Sequence, residues 1–319
     1  MNTLEEIFEK INDAKSIILL VHENPDGDAI GSGLAMNIAL KNMGKDVTFY
    51  VPKYPNIFNA LPGADDIVSV VDESITYDLA IAIDTASVSQ LSTWNKYFES
   101  AKENIVIDHH VSNSEYGKLN YVEAKSPACA QTLYKIFKVR NVEITKDIAT
   151  CLLAGIITDT GGFQYCDVTR ETFEIAAEIL DLGVDLTKTY KQVYATFTKT
   201  SLILRAKALN RMEFLLDGKV AFSYITQEDE EGLEVSSGDY DGIVNEGRNI
   251  EGVEVSVFMH QREDGAYKIS FRANDYLNVS EVASKLFNGG GHFRAAGAVA
   301  EGSIEEIKDK ILKELEEKL

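Results

Sequence analysis

The residues with chemistry to offer are gathered at a few points along the chain. His22 is followed by Asn24-Pro25-Asp26-Gly27-Asp28, Asp84 closes the apolar run 79–83, Asp108-His109-His110 closes the run 104–107, and Asp159-Thr160-Gly161-Gly162 follows the run 152–157. Any one of these aspartates could be a cap or a turn residue, and Asp26-Gly27 alone reads as a turn. The combination is different, because it places five carboxyl groups and three of the chain's five histidines at the ends of apolar segments. Like charges brought together disfavour ionisation unless cations neutralise them. Neither Lys nor Arg occurs in 22–33, 81–89 or 107–114, so the compensating charge has to come from outside the chain. Mixed imidazole and carboxylate donors suit a borderline first-row ion such as Mn²⁺ better than Ca²⁺, which prefers oxygen alone, and the absence of a cysteine among them argues against Zn²⁺. Two divalent ions, Mn²⁺ foremost, are the expected cofactors, since a two-metal site suits in-line displacement at phosphorus.

Elements of a particular kind must position these groups. The runs 16–21, 46–51, 78–83 and 104–107 are almost continuously apolar and β-rich, as in a parallel sheet covered on both faces. A helix is expected over 3–14, where Thr3 and Glu6 have capping-box spacing, and another over 29–42, ended by Gly44. In an open parallel sheet, ligands bind at the carboxyl ends of the strands. His22, Asp26, Asp28, Asp84, Asp108, His109 and His110 would then share one edge. Helical patterns follow over 148–157, 170–182 and 186–195, and 198–212 reads as a connector. From residue 213 the character changes to half-exposed strands over 219–225, 253–260 and 267–272, with a hairpin turn at Asp264-Gly265. A helix over 278–288, the Gly289-Gly290-Gly291 run, a strand over 296–300 and a helix capped by Ser303 and Glu306 complete it. The expected architecture is α/β: a mostly parallel N-terminal sheet flanked by helices over 1–197, and a smaller C-terminal α/β domain over 213–319.

Composition narrows the function. The 319 residues carry 51 acidic and 31 basic side chains, a formal charge of −20. Such a surface repels a long polyanion, so tracking of long duplex nucleic acid is not expected. No apolar stretch reaches the roughly 18 residues of a membrane span, and the N-terminus lacks the apolar core of a signal peptide. Three cysteines (Cys129, Cys151, Cys166) without CxxC pairing suit free thiols in a reducing cytoplasm. A homodimer is compatible with all of this.

The quoted segments resemble a known family. His22-Glu-Asn-Pro-Asp-Gly-Asp-Ala-Ile-Gly-Ser32, Asp84, Asp108-His109-His110 and Asp159-Thr-Gly-Gly-Phe163 look like the four successive motifs of the DHH phosphoesterases, and Gly289-Gly-Gly-His292-Phe-Arg-Ala-Ala-Gly297 looks like the glycine-rich motif of the DHH-associated C-terminal domain. The resemblance covers essentially the whole chain. It implies one metal ion held by His22, Asp26 and Asp84 and a second held by Asp28, Asp84, His109 and Asp159, with Asp84 bridging. His110 would act at the phosphate as charge stabiliser or general acid, and Asp108 would orient a histidine. The active site would lie in the cleft between the domains.

In the second domain, the glycines would bend the chain after the helix and let backbone amides approach an anion. Arg272 and His292 would grip the far end of a substrate. Asn274 is a candidate for a sugar or base contact, and Arg294 is a weaker one. The length resembles the bacterial nanoRNases, which implies hydrolysis of very short oligoribonucleotides or of 3′-phosphoadenosine 5′-phosphate. The alternatives within the superfamily are a phosphodiesterase for linear di-AMP and an inorganic pyrophosphatase. A non-catalytic sensor and a long-strand exonuclease fit less well, the first because the ligand set is intact, the second because it needs a longer binding track.

Overall fold

The structure, a computed structural model, describes residues 3–165 and 167–319, with Ser237 and His292 described in backbone only. The chain divides into two compact units, one ending at Thr196 and the other spanning Phe197–Leu319.

In the first unit the elements run α1 (Leu4–Asp13), β1 (Ser16–Leu20), α2 (Gly27–Asn42), β2 (Asp46–Tyr50), β3 (Ile67–Val68), β4 (Leu79–Ile83), α3 (Asn95–Ser100), β5 (Glu103–Asp108), β6 (Leu119–Val122), α4 (Cys129–Val139), α5 (Lys146–Asp159), α6 (Arg170–Asp181) and α7 (Leu186–Val193). The strands form one sheet in the order β3-β2-β1-β4-β5-β6, and every neighbouring pair is parallel. Side chains alternate across it. Ile17, Leu19, Ile81, Ile83, Ile105 and Ile107 pack into the core shared with α1, α2, α4 and α5. Ile18, Leu20, Ala80, Ala82 and Val106 face a second core built on Leu91, Trp94, Tyr97 and Phe98. Burial on both faces is the reason these strands read as unbroken apolar runs. The capping box of Thr3 and Glu6 is present at the start of α1.

One contact in this unit matters for the site. Helices α2 and α5 approach through glycines, so that a Cβ on Gly31 would lie 2.5 Å from the Cys151 carbonyl oxygen, and one on Gly27 would lie 2.4 Å from Thr158. A Cβ on Gly155 would lie 2.6 Å from Asp28 Oδ1. This approach brings the first turn of α2, with Asp26 and Asp28, to the last turn of α5, with Asp159.

The second unit contains α8 (Lys199–Asn210), β7 (Glu213–Leu215), β8 (Val220–Ile225), α9 (Ile243–Arg248), β9 (Val255–Gln261), β10 (Tyr267–Ala273), α10 (Val279–Phe287), β11 (Gly290–His292), β12 (Ala295–Ala300) and α11 (Ile304–Glu316). Its sheet has the order β11-β12-β10-β9-β8-β7, antiparallel except for β8 beside β9. Helices α10 and α11 cover one face of the sheet, and α8 and α9 cover the other. The segment 198–212, expected as a connector, is thus largely a helix whose Leu204 and Ala208 pack into this unit.

The glycine run also differs from expectation. Helix α10 ends at Asn288, itself left-handed with φ 51°. Gly290 and Gly291 then pair with Gly297 and Ala296 in a strand and do not form an open bend. A Cβ on Gly289 or Gly291 would lie within 2.4 Å of a carbonyl oxygen of β12, so close strand packing accounts for both. Among the described residues no helix is long and apolar enough to cross a membrane.

The glycine contact gives a direct test. In Gly31→Ala the new methyl meets backbone, which cannot rotate away, and overpacking of this kind costs about 1–3 kcal/mol. Thermal unfolding followed by circular dichroism should show Tm lower by roughly 2–10 °C. An unchanged Tm would mean that α2 and α5 are not held this closely.

Candidate metal centre

The strand order reverses between β1 and β4, which lie side by side, and such a switch point is where an open α/β sheet presents its ligand crevice. Asp84 is the first residue after β4, Asp108 is the last of β5, and His22 lies two residues beyond β1. The α2–α5 approach adds Asp26, Asp28 and Asp159 to the same edge. Three groups of donor atoms result, each with its atoms within 4.8 Å of one another: His22, Asp26 and Asp84; Asp28, His109 and Asp159; and Asp84, His109 and His110. Each group could hold a cation, and two of them share Asp84 without being otherwise alike.

His109 is the hub. Its Nε2 lies 3.4 Å from Asp84 Oδ1, 3.4 Å from Asp159 Oδ2 and 4.0 Å from Asp28 Oδ2. Its Nδ1 is 2.9 Å from the Ser126 carbonyl oxygen. A carbonyl only accepts, so Nδ1 carries a proton and Nε2 is the ring nitrogen turned to the three carboxylates, the arrangement that orients a metal-ligating histidine. His110 is held by a different partner: its Nδ1 donates to Asp108 Oδ1 at 2.7 Å. Asp108 Oδ2 in turn accepts from Asn113 Nδ2 at 2.6 Å.

The aspartates are fixed by the backbone as much as by one another. Asp26 caps α2, its Oδ1 accepting from the amides of Asp28 and Ala29 at 3.0 Å each. Asp28 is fully buried and accepts from the amides of Cys129 and Ala130 at the start of α4, at 2.6 and 2.9 Å, and from Ser32 Oγ at 3.0 Å. The helix dipole of α4 favours a carboxylate there. Asp159 has the opposite situation, since it ends α5, where the dipole disfavours negative charge. Asp84 is buried with a left-handed backbone, φ 54°, and its Oδ1 makes no hydrogen bond. Strain and an orphaned buried oxygen at one residue are features that concentrate at functional sites.

The electrostatics follow from this crowding. Burial, then the charge of Asp84, raises the Asp28 carboxyl to about 7, and burial and Asp28 hold Asp159 well above the usual carboxylate range. Burial would also raise Asp84, but His109, His110 and His22 outweigh it and bring the pKa to about 2. Burial disfavours a charge on His109, yet Asp84, Asp159 and Asp28 raise it well above the ordinary histidine value. Among the described residues, the ion-pair partners of these carboxylates are histidines only. The cluster neutralises itself with protons, and a divalent cation offers the same compensation while leaving the carboxylates ionised. The residues present fit such an ion.

Several supporting groups were not read from the sequence. They include the amides of α4, the Ser126 carbonyl and Asn113. Each acts through a backbone group or a short polar side chain whose position depends on the fold, and α4 itself lies outside the predicted elements.

In the second unit, Arg272 lies on β10 and its Nη1 donates to the Phe271 carbonyl at 2.9 Å. The side chain of His292 lies outside what the structure describes. Asn274 Nδ2 donates to the carbonyls of Arg248 and Val253 at 2.8 and 2.7 Å, tying their loops together. Arg294 Nη2 donates to the Asp275 carbonyl at 3.3 Å.

Comparison with known proteins bears on this geometry. Residues 16–156 match the DHH family, N-terminal domain, and residues 217–319 match the DHHA1 domain. A Thermus thermophilus protein named bifunctional oligoribonuclease and PAP phosphatase NrnA is 33% identical over 307 residues, covering 95% of this chain and 90% of its own. A cyclic-di-AMP phosphodiesterase, PdeA, of Listeria monocytogenes is 27% identical over 99% of this chain and 48% of its own. Among solved structures, an exopolyphosphatase-related protein from Bacteroides fragilis superposes with a TM-score of 0.90 at 27% identity, covering 97% of this chain and 95% of that one.

The raised carboxyl groups predict how pH and metal interact. Between the ordinary aspartate value of 3.8 and about 7, folded Asp28 retains a proton that the unfolded chain has released. Stability of the metal-free protein contributed by this group therefore falls as pH rises through that window. A divalent ion must displace protons from Asp28, Asp159 and His109, so its stabilising effect should grow over the same range. The rise in Tm produced by Mn²⁺ should be larger at pH 8 than at pH 5.5. An equal rise at both would exclude these carboxyls as the binding groups.

Proposed function

The chain belongs to the DHH family of metal-dependent phosphoesterases, and we propose that it hydrolyses very short oligoribonucleotides, 3′-phosphoadenosine 5′-phosphate, or both, to mononucleotides in the cytoplasm. The observation that carries the reading is the centre on Asp84, where carboxylates and three imidazoles converge without a lysine or arginine partner among the described residues. Two divalent ions, Mn²⁺ foremost, are the proposed cofactors: His22, Asp26 and Asp84 would hold one, and Asp28, Asp84, His109 and Asp159 the other. When bound, they supply Lewis-acid stabilisation of the charge that develops on the phosphate oxygens.

The chain's own groups have distinct parts. Asp84, held in a left-handed turn, shares a donor group with His22 and Asp26 and has its Oδ1 3.4 Å from His109 Nε2, and it would serve both sets. The Ser126 carbonyl keeps His109 in the tautomer whose Nε2 is a donor atom. In His110, the Asp108 bond fixes Nδ1 as a protonated ring nitrogen. Burial disfavours a charge on this ring, but the Asp108 hydrogen bond and the Asp84 charge outweigh it and raise its pKa above the ordinary value. His110 is therefore suited to place a proton on the leaving oxygen or to stabilise charge on the phosphate. Arg272, the Gly289–Gly291 backbone and His292 are proposed to bind the remainder of the substrate. The name of the Thermus relative supports the choice of substrate, and the buried free thiols Cys129 and Cys151 suit a reducing compartment. Linear di-AMP is the alternative substrate proposed; the similarity to about half of the Listeria cyclic-di-AMP phosphodiesterase supports a di-adenylate substrate class only.

Two outcomes test the proposal. A chelator should abolish hydrolysis of a dinucleotide and Mn²⁺ should restore it. Asp108→Asn should lower kcat by about 10–100-fold, as expected for a residue behind a catalytic group, and Asp84→Asn should lower it further and reduce bound metal. Steady-state kinetics and elemental analysis decide this, and equal losses in the two variants would contradict the assigned roles.

The second outcome concerns length. With a formal charge of −20, the rate per molecule should fall steeply beyond roughly five nucleotides, because each further phosphate meets an acidic surface. Digestion of a long single strand at a comparable rate, followed on a sequencing gel, would overturn it.

A further inference from the structure

We propose that Asn113 is a positioning residue for the reaction, locking the Asp108 carboxylate and thereby the ring of His110. The inference rests on the catalytic part proposed for His110 and goes beyond it by naming the group that aims the ring.

The hydrogen bonds around Asn113 form one connected set. Its Nδ2 donates to Asp108 Oδ2 at 2.6 Å and to the Thr85 carbonyl at 3.2 Å. Its Oδ1 accepts from the Glu115 amide at 2.7 Å, and its own amide donates to the His110 carbonyl at 3.1 Å. Asp108 is fully buried, and its two oxygens divide the work, Oδ1 taking His110 Nδ1 at 2.7 Å and Oδ2 taking Asn113. Without the carboxamide, Oδ2 would be a buried carboxylate oxygen lacking its donor, which costs the group its fixed orientation as well as free energy. The ring bonded to Oδ1 would then lose the constraint that selects one tautomer and one aim. Asp84 is less dependent on Asn113. Its own amide donates to the Ile107 carbonyl at 3.0 Å, and the Thr85 carbonyl beside it also accepts from Tyr116 Oη at 3.2 Å.

A simpler role is confined to the turn, in which Asn113 Oδ1 only folds 113–115 back on itself. Asn113→Asp separates the two, because it keeps an oxygen for the Glu115 amide and removes both donations from Nδ2. Asn113→Ser does the same without adding charge, and it keeps the test alive if the aspartate variant does not fold. The positioning role predicts that either variant lowers kcat for a dinucleotide by about 10–100-fold, with KM within about twofold and metal content at the wild-type level.

A second readout does not depend on turnover. The metal-free proteins would be labelled with ring-¹⁵N histidine, and the His110 signals assigned by their loss in His110→Gln. At a pH high enough to leave the His110 ring neutral, wild type should show a single tautomer protonated at Nδ1, whereas the variants should show averaged nitrogen shifts. Wild-type kcat and a single His110 tautomer in both variants would overturn the proposal. So would a loss of bound metal in step with kcat, which would assign Asn113 to the Asp84 turn instead. If wild type itself fails to hydrolyse a dinucleotide, the phosphoesterase reading fails, and the nitrogen spectra still decide the part concerning Asn113.

Discussion

The structure of the first unit depends on a single unfavourable juxtaposition. Asp28, Asp84 and Asp159 are drawn within reach of one imidazole nitrogen, in surroundings that desolvate all of them. Isolated carboxylates in such a place would repel one another and lose their hydration, so the arrangement persists only because the scaffold over-determines it. Helix α2 is pressed against α5 through glycines, the dipole of α4 holds Asp28, and the left-handed turn after β4 holds Asp84. Each device fixes one carboxylate from a different direction. What they have in common is that none of them neutralises it, and that is the condition under which a divalent cation binds strongly.

The two histidines of the Asp108-His109-His110 run illustrate how neighbours in sequence acquire different chemistry. Both use Nδ1 as a donor, but His109 gives its proton to a neutral backbone carbonyl and His110 gives its proton to a carboxylate. The first arrangement turns Nε2 toward carboxylates, suited to coordination once a cation displaces its proton. The second supports a protonated ring, suited to phosphate chemistry. The difference comes from the loop 123–129 on one side and from Asp108 with Asn113 on the other.

In the second unit the glycines serve strand packing. Gly289 and Gly291 allow β11 to approach β12 at distances that no side chain would permit, and Asn274 ties loops together.

Much of the site was legible in the sequence because parallel strands impose a rule: the residue that ends an apolar run lies at the carboxyl edge. That rule alone brings His22, Asp84, Asp108, His109 and His110 together before any coordinates exist. The near-continuous hydrophobicity of the strands likewise announced a sheet covered on both faces. The sequence did not disclose strand order, so the adjacency of β1 and β4, and with it the proximity of His22 to Asp84, belongs to the tertiary structure. Nor did it disclose which Nδ1 partner each histidine takes, because the Ser126 carbonyl is a backbone group with no residue-type signal. Asn113 and the α4 amides escaped notice for the same reason, since a short polar side chain or a helix end acquires meaning only from what the fold sets beside it. Residue types and spacing determined the chemistry available. The orientation of each donor was decided by packing, because hydrogen-bond direction depends on distances of tenths of an ångström that one-dimensional spacing does not encode.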